Sequence, residues 1–148
     1  MKEKTVFINS LYEESFGLLV EARNYFQYSE SNRRAAMHGP PHDRLFVNCQ
    51  AMRLTSRMTQ AMAWLLAQRA VETGELSLSQ ACNGEFSLGG EEICTATDNH
   101  QDRRIPPPMR QLLDRSHSLY MRVWRLDQAA RQRIENGHGN GQHGHQSH

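Results

Sequence analysis

Cysteine is scarce in this chain, and neither sign of charge dominates. The three cysteines, Cys49, Cys82 and Cys94, are an odd number with no CxxC spacing. They argue against a disulfide framework and for a reducing, cytoplasmic compartment. With 17 basic and 16 acidic side chains the net charge is +1, so the basic excess that marks a duplex-DNA binder is missing. Long apolar runs are missing too. The longest strongly apolar run, Ala61 to Ala67, is far too short to span a bilayer, and MKEKTVFINS has no apolar signal-peptide core. There is no Gly-rich phosphate loop, since Gly89-Gly90 stands alone without GxGxxG or a following lysine.

What is present is helical spacing. The 148 residues suffice for one domain, placed at 1–135 and followed by a Gly/His-rich tail over 136–148. The pattern predicts an all-α fold: a three-helix bundle of long antiparallel helices. A short extra helix or loop separates the second helix from the third, and the tail is disordered. Ser10 and Glu13 have the form of a capping box, opening a first helix over about 10–28. Leu11, Leu18, Ala22 and Tyr25 make its apolar side. The stretch SESNRRAAMHGPPHD reads as a loop. Asp43 is the expected N-cap of a second helix that Gly74 ends at about residue 73. Ser77 and Gln80 have the spacing to cap a short helix, with a mobile loop after it. Pro106-Pro107-Pro108 opens a last helix over about 107–135, with Met109, Leu112, Leu119, Val123, Leu126, Ala130 and Ile134 in one stripe.

The second helix is apolar on two sides. At about 100° per residue, Val47, Ala51, Leu54, Met58, Ala61 and Leu65 form a bundle seam. Nearly opposite lie Leu45, Cys49, Met52, Ser56, Ala63 and Ala67, apolar but mostly small. A helix apolar on two sides is buried on two sides. Two explanations are open: this is the middle helix between the other two, or the second side faces another copy of the chain. One flank between the two sides carries Arg53, Arg57, Gln60 and Trp64. Trp and Arg are over-represented in binding hot spots, so an exposed flank would bind a partner, whereas a buried Trp64 would belong to the core.

Candidates for chemistry are few. Cys49 lies on the small-residue face, where a packed, inert thiol is expected. His117 has no metal-ligand partner at i+4. His38, His42 and His100 fall in loops without an evident partner. His138, His143, His145 and His148 cluster in the tail, where imidazoles on a flexible chain bind metals weakly and unselectively. The arginines of the last helix scatter around it instead of lining one face. No catalytic, cofactor or metal residue is assigned. A chain of this kind acts by binding other proteins.

Three stretches carry a resemblance. MRLTSRMTQAMAWLLAQRAVETGELS (52–77), Ser10-Leu11-Tyr12 with its Glu-rich turn, and RIPPPMRQLLDRSHSLYMRVWRLDQ (104–128) are similar to the regulator of CtrA degradation (RcdA) family of small alphaproteobacterial helical-bundle proteins. The resemblance implies a three-helix bundle that forms a homodimer and has no catalytic residue. It also implies an adaptor role in regulated proteolysis, in which cell-cycle cargo is brought to a ClpXP-type AAA+ protease. The implied partners are ClpX, a response-regulator-like accessory protein and the cargo, with no nucleic acid, membrane or cofactor. The alternatives are a dimeric structural or regulatory protein of the same fold with other partners, and behind it a DNA-binding or metal-handling protein.

Overall fold

The computed structural model describes residues 2–83, 87–97 and 99–141. Those residues form helices and connecting turns, with no strand among them. Three long helices carry the fold: α1 (Lys2–Tyr28), α3 (Pro41–Glu72) and α6 (Pro107–Gly141). Short helices sit between them: α2 (Glu30–Arg33), continued by a π-helical turn (Arg34–His38), then α4 (Leu78–Ala81) and α5 (Glu91–Cys94).

α1 begins two turns earlier than its capping-box pattern indicates. Ile8 is 1% exposed and joins Leu11, Leu18 and Ala22 in the core, so burial carries the helix through Ser10, which stays on the surface. The 29–43 stretch is also more ordered than its composition suggests. Ser29, in extended conformation, accepts a hydrogen bond from Asn32 N at 3.3 Å and caps α2. Pro41 then takes the first position of α3, where its missing N–H costs nothing. Asp43 sits in the first turn and faces Arg104 at 3.7 Å. At the other end Gly74 adopts φ +82°, and Glu75 N and Leu76 N both bond to Ala70 O, a glycine-based stop. α6 runs on to Gly141, past the expected end near 135. The remaining tail, with His143, His145 and His148, lies outside the described residues.

Side-chain pairs fix the helix directions. Glu14 and Glu21 of α1 pair with Arg122 and Arg115 of α6, so these two helices are antiparallel. α3 also runs against α1, since the turn through α2 reverses the chain. α6 is parallel to α3: Arg104, just before α6, meets Asp43 and Phe46, and Trp64 meets Asp127 further along. The antiparallel arrangement read from the sequence therefore applies to α1 against each of the others, not to α3 against α6. Two parallel helices need a connection that travels back their full length. The described residues between 73 and 106 make it, as a return strap laid along α3 and α6.

Leu54, Met58, Ala61 and Leu65 of α3 are each at most 1% exposed. They pack with Ile8, Leu11 and Leu18 of α1 and with Met109, Leu113, Leu119 and Val123 of α6 in one core.

Candidate functional site

The strap is pinned by the flank of α3 that looked like a partner surface. Arg57 is fully buried, at 0% exposure. Its five N–H groups all find acceptors. Nε donates to Cys94 O at 2.8 Å, Nη1 to Leu113 O at 3.0 Å and Ser116 Oγ at 3.2 Å, and Nη2 to Ala96 O at 2.6 Å. Nη2 also meets His100 Nε2 at 3.0 Å. None of these acceptors is a carboxylate. Burial pushes the guanidinium down to about 10, with Arg53 adding repulsion, so it stays charged at neutral pH. Asp114 is reached through a ring: His100 Nδ1 lies 3.0 Å from Asp114 Oδ1. A neutral His100 with its proton on Nδ1 donates to Asp114 and accepts from Arg57, the tautomer these two contacts require.

The other rungs follow the same logic. Gly89 N donates to Gln60 Oε1 at 2.9 Å, and Gly89 O accepts from Tyr120 Oη at 2.9 Å. A Cβ at Gly89 would come within 3.2 Å of that Gln60 oxygen. Gly90 has φ +70°, and a Cβ there would meet Cys94 Sγ at 3.1 Å, so this pair allows the strap to approach closely. His117 Nε2 lies 3.0 Å from Thr95 O. Trp64 is 3% exposed and donates from Nε1 to Asp127 Oδ1 at 3.0 Å. Asp127, also buried, accepts from Arg131 Nε at 2.9 Å. At the strap's end Arg104 lies 3.8 Å over the Phe46 ring and holds the Asp102 carboxyl at about 2 through their hydrogen bonds.

This corrects the expected partner-binding group. Arg57 faces inward under the strap, and Trp64 faces inward against Asp127 of α6. Gln60 is half-buried and engaged with the strap, and Arg53 is half-buried beside Gln50. His100, read as an unpartnered loop histidine, is buried at the centre of the network. The signals that pointed to it were Gly89-Gly90 and the run of polar side chains along one flank of α3.

The outward face of α3 is open. Leu45 is 65% exposed, Met52 69% and Leu66 49%. Cys49 and Ala63 are exposed with them, and Ser56 is half-buried. Ala67, grouped with them from the sequence, is buried at 4%, at the end of α3 where α4 folds back. Thr55 and Thr59 turn their hydroxyls into the helix, onto Ala51 O and Thr55 O. No exposed residue of α3 from Leu45 to Leu66 is charged. That face is about 30 Å long at helical rise.

Cys82 and Cys94 are buried, and burial pushes both thiols up. Among the described residues no group of three or more His, Cys, Asp or Glu side chains is placed to hold a metal ion. No helix among them is long and apolar enough to cross a membrane.

The class is therefore an all-α bundle with a strapped interior and a long uncharged face on α3. The chain belongs to the family described as a protein of unknown function (DUF1465), which it matches over residues 2–145. It is RcdA-like: it is similar to the crystal structure of RcdA from Caulobacter crescentus CB15, at 28% identity and a TM-score of 0.62, over 83% of this chain and 89% of that one. Among curated proteins none matches the chain.

Proposed function

We propose that this chain is a non-enzymatic, cytoplasmic adaptor that helps deliver cell-cycle regulatory proteins to a ClpXP-type AAA+ protease, and that it works as a homodimer. The observation that carries the binding role is the outward face of α3. A helix of a monomeric bundle normally turns charge to water on the side away from its core. Here Leu45, Cys49, Met52, Ala63 and Leu66 hold that position instead. A two-fold dimer buries the same patch on both copies, and the small side chains at Cys49, Ser56 and Ala63 allow two helices to approach closely. The likeness to RcdA supports the adaptor role and its partners: ClpX, a response-regulator-like accessory protein and cargo. The balanced charge supports protein rather than nucleic acid as the target.

The test is capture from the soluble extract of the native host with the purified chain as bait, read by mass spectrometry. A Met52→Glu/Leu66→Glu variant and a chain lacking 142–148 run beside it. Enrichment of ClpX, a receiver-domain protein or cell-cycle transcription factors is expected. Its loss in the face variant, together with monomeric sedimentation, ties capture to the dimer. Reproducible capture of unrelated proteins alone would remove the proteolytic role and leave a dimeric regulatory or structural protein of the same fold.

A further inference from the structure

The strap is fastened by a group that changes charge near neutral pH. His100 is 3% exposed. It is faced from α3 by Arg57, with Arg53 behind it. From α6 it is faced by Asp114 and by His117, whose ring centre is 6.1 Å away at a near-perpendicular angle. On the strap itself Cys94 presents its carbonyl to the same guanidinium. In this setting Nε2 of His100 must keep a lone pair, because it accepts from Arg57 Nη2 at 3.0 Å.

We propose that Arg57, His100 and Asp114 form an acid-sensitive latch, which releases strap residues 91–97 and 99–100 from α3 and α6 when His100 takes up a proton. The proton arrives from solvent at Nε2. Two donors then confront each other at hydrogen-bond distance, and an imidazolium lies against a buried guanidinium. Asp114 offsets this poorly, since its side chain is 54% exposed and its attraction is screened by water. The closed latch therefore excludes the proton, and the open one accepts it.

The direction of the effect follows. Burial holds His100 below its ordinary value, with Asp114 pulling upward and Arg57 and His117 pushing further down. His117 is lowered as well, chiefly by burial. A histidine lowered in the closed state leaves the latch at full strength above about pH 6.5. The latch weakens as pH falls below that, because only the open form binds the proton. One proton taken up on opening shifts the equilibrium by about tenfold per pH unit. The latch rests on this geometry alone and holds whatever the chain's partners are.

Amide hydrogen exchange of the full chain from pH 7.5 to 5.0, corrected for the intrinsic rate of each amide, tests it. Protection of 91–97 and 99–100 should fall by about tenfold per unit below about pH 6.5, while 54–65 in the core of α3 stays protected. His100→Gln keeps an acceptor for Arg57 and a donor for Asp114 but cannot titrate, so its strap protection should be flat. A pH-independent strap in the unmodified chain overturns the latch. So does a pH dependence that survives in His100→Gln or vanishes only in His117→Asn. If His100→Gln leaves the strap open at pH 7.5, the nitrogen NMR shifts of His100 in the unmodified chain decide. A neutral ring protonated on Nδ1 at pH 7.5, titrating together with strap opening, supports the latch. An imidazolium that coexists with a protected strap refutes it.

Discussion

The two flanks of α3 invert the usual relation between polarity and exposure. On the covered flank, Gln50, Arg57, Trp64 and Gln68 are each at most 3% exposed. Away from it, Leu45 and Met52 are 65% and 69% exposed. The difference lies in what each flank meets. The strap crosses α3 as irregular backbone, which brings carbonyls and amides that need partners. Arg57, with five donors in a planar fork, satisfies Cys94 O, Ala96 O and Leu113 O at once, and Gln60 serves Gly89 N. An apolar flank would take these partners from Cys94 O, Ala96 O and Gly89 N. On the outward face Asn48 donates to Ala36 O at 3.2 Å, while Leu45, Met52, Ala63 and Leu66 carry no side-chain donor for a carbonyl of this kind.

Removing Arg57 should produce the largest effect that follows from this contrast. In Arg57→Met the stem is retained and the fork is lost, which takes the guanidinium donors from Cys94 O, Ala96 O and His100 Nε2, while Leu113 O keeps Ser116 Oγ. Each buried acceptor left unsatisfied costs about 1–3 kcal/mol, and urea unfolding measures the sum. Arg57→Lys should recover little of the loss, because an ammonium cannot reproduce the fork. Full stability in Arg57→Met would mean that the strap is held by its apolar contacts alone.

Trp64 comes next and separates ring from N–H. Trp64→Ala empties a buried site and should cost about 3–5 kcal/mol. Trp64→Phe keeps most of the ring and removes the bond to Asp127, which retains Arg131; it should cost about 1–2 kcal/mol. Equal losses in the two variants would place the value of Trp64 in its hydrogen bond.

The helices and the apolar seam were legible because they rest on periodicity, which a sequence displays directly. So was the two-faced character of α3. The polar side of the argument was less legible. An arginine on a helix flank looks the same whether water or a strap will cover it, and only the crossover decides. The parallel course of α6 was hidden for the same reason, since three helical stripes and one long connection are compatible with either direction. Ser10-Leu11-Tyr12-Glu13 has the composition of a helix start, yet Ile8 sits beneath the bundle and the helix begins before it. His100 had no readable partner because Arg57 and Asp114 lie 43 and 14 residues away.

The surface ion pairs sharpen the contrast between a buried cation and an exposed one. Arg122 bonds to both carboxylate oxygens of Glu14 and holds that carboxyl below its ordinary value mainly through the hydrogen bonds. Arg122 and Glu14 are partly exposed, at 37% and 52% of their side chains. A double-mutant cycle on Glu14→Gln and Arg122→Gln should return about 0.2–1 kcal/mol, smaller still in high salt. The contribution is present at neutral pH and lost as pH falls through the lowered carboxyl value. A coupling as large as the loss from Arg57→Met would mean that charge, not burial, sets the scale.

The outward face should give the smallest change in stability and the clearest change in association. Met52→Glu and Leu66→Glu alter exposed positions with room around them, so each should move the unfolding free energy of the isolated fold by no more than about 0.5 kcal/mol. If the face mates with a second copy, carboxylates at two of its exposed apolar positions lie buried and unpaired in the dimer, and the double variant should sediment as a monomer at concentrations where the parent does not. Comparing the melting temperature of the parent at two protein concentrations adds a check, because an associating fold melts higher when concentrated. A parent that is monomeric throughout, with the double variant indistinguishable from it in hydrodynamics and in capture, would leave this uncharged face without a partner and break the contrast at its outer side. Monomeric behaviour combined with capture lost in the double variant would move the same face from self-association to recognition of another protein.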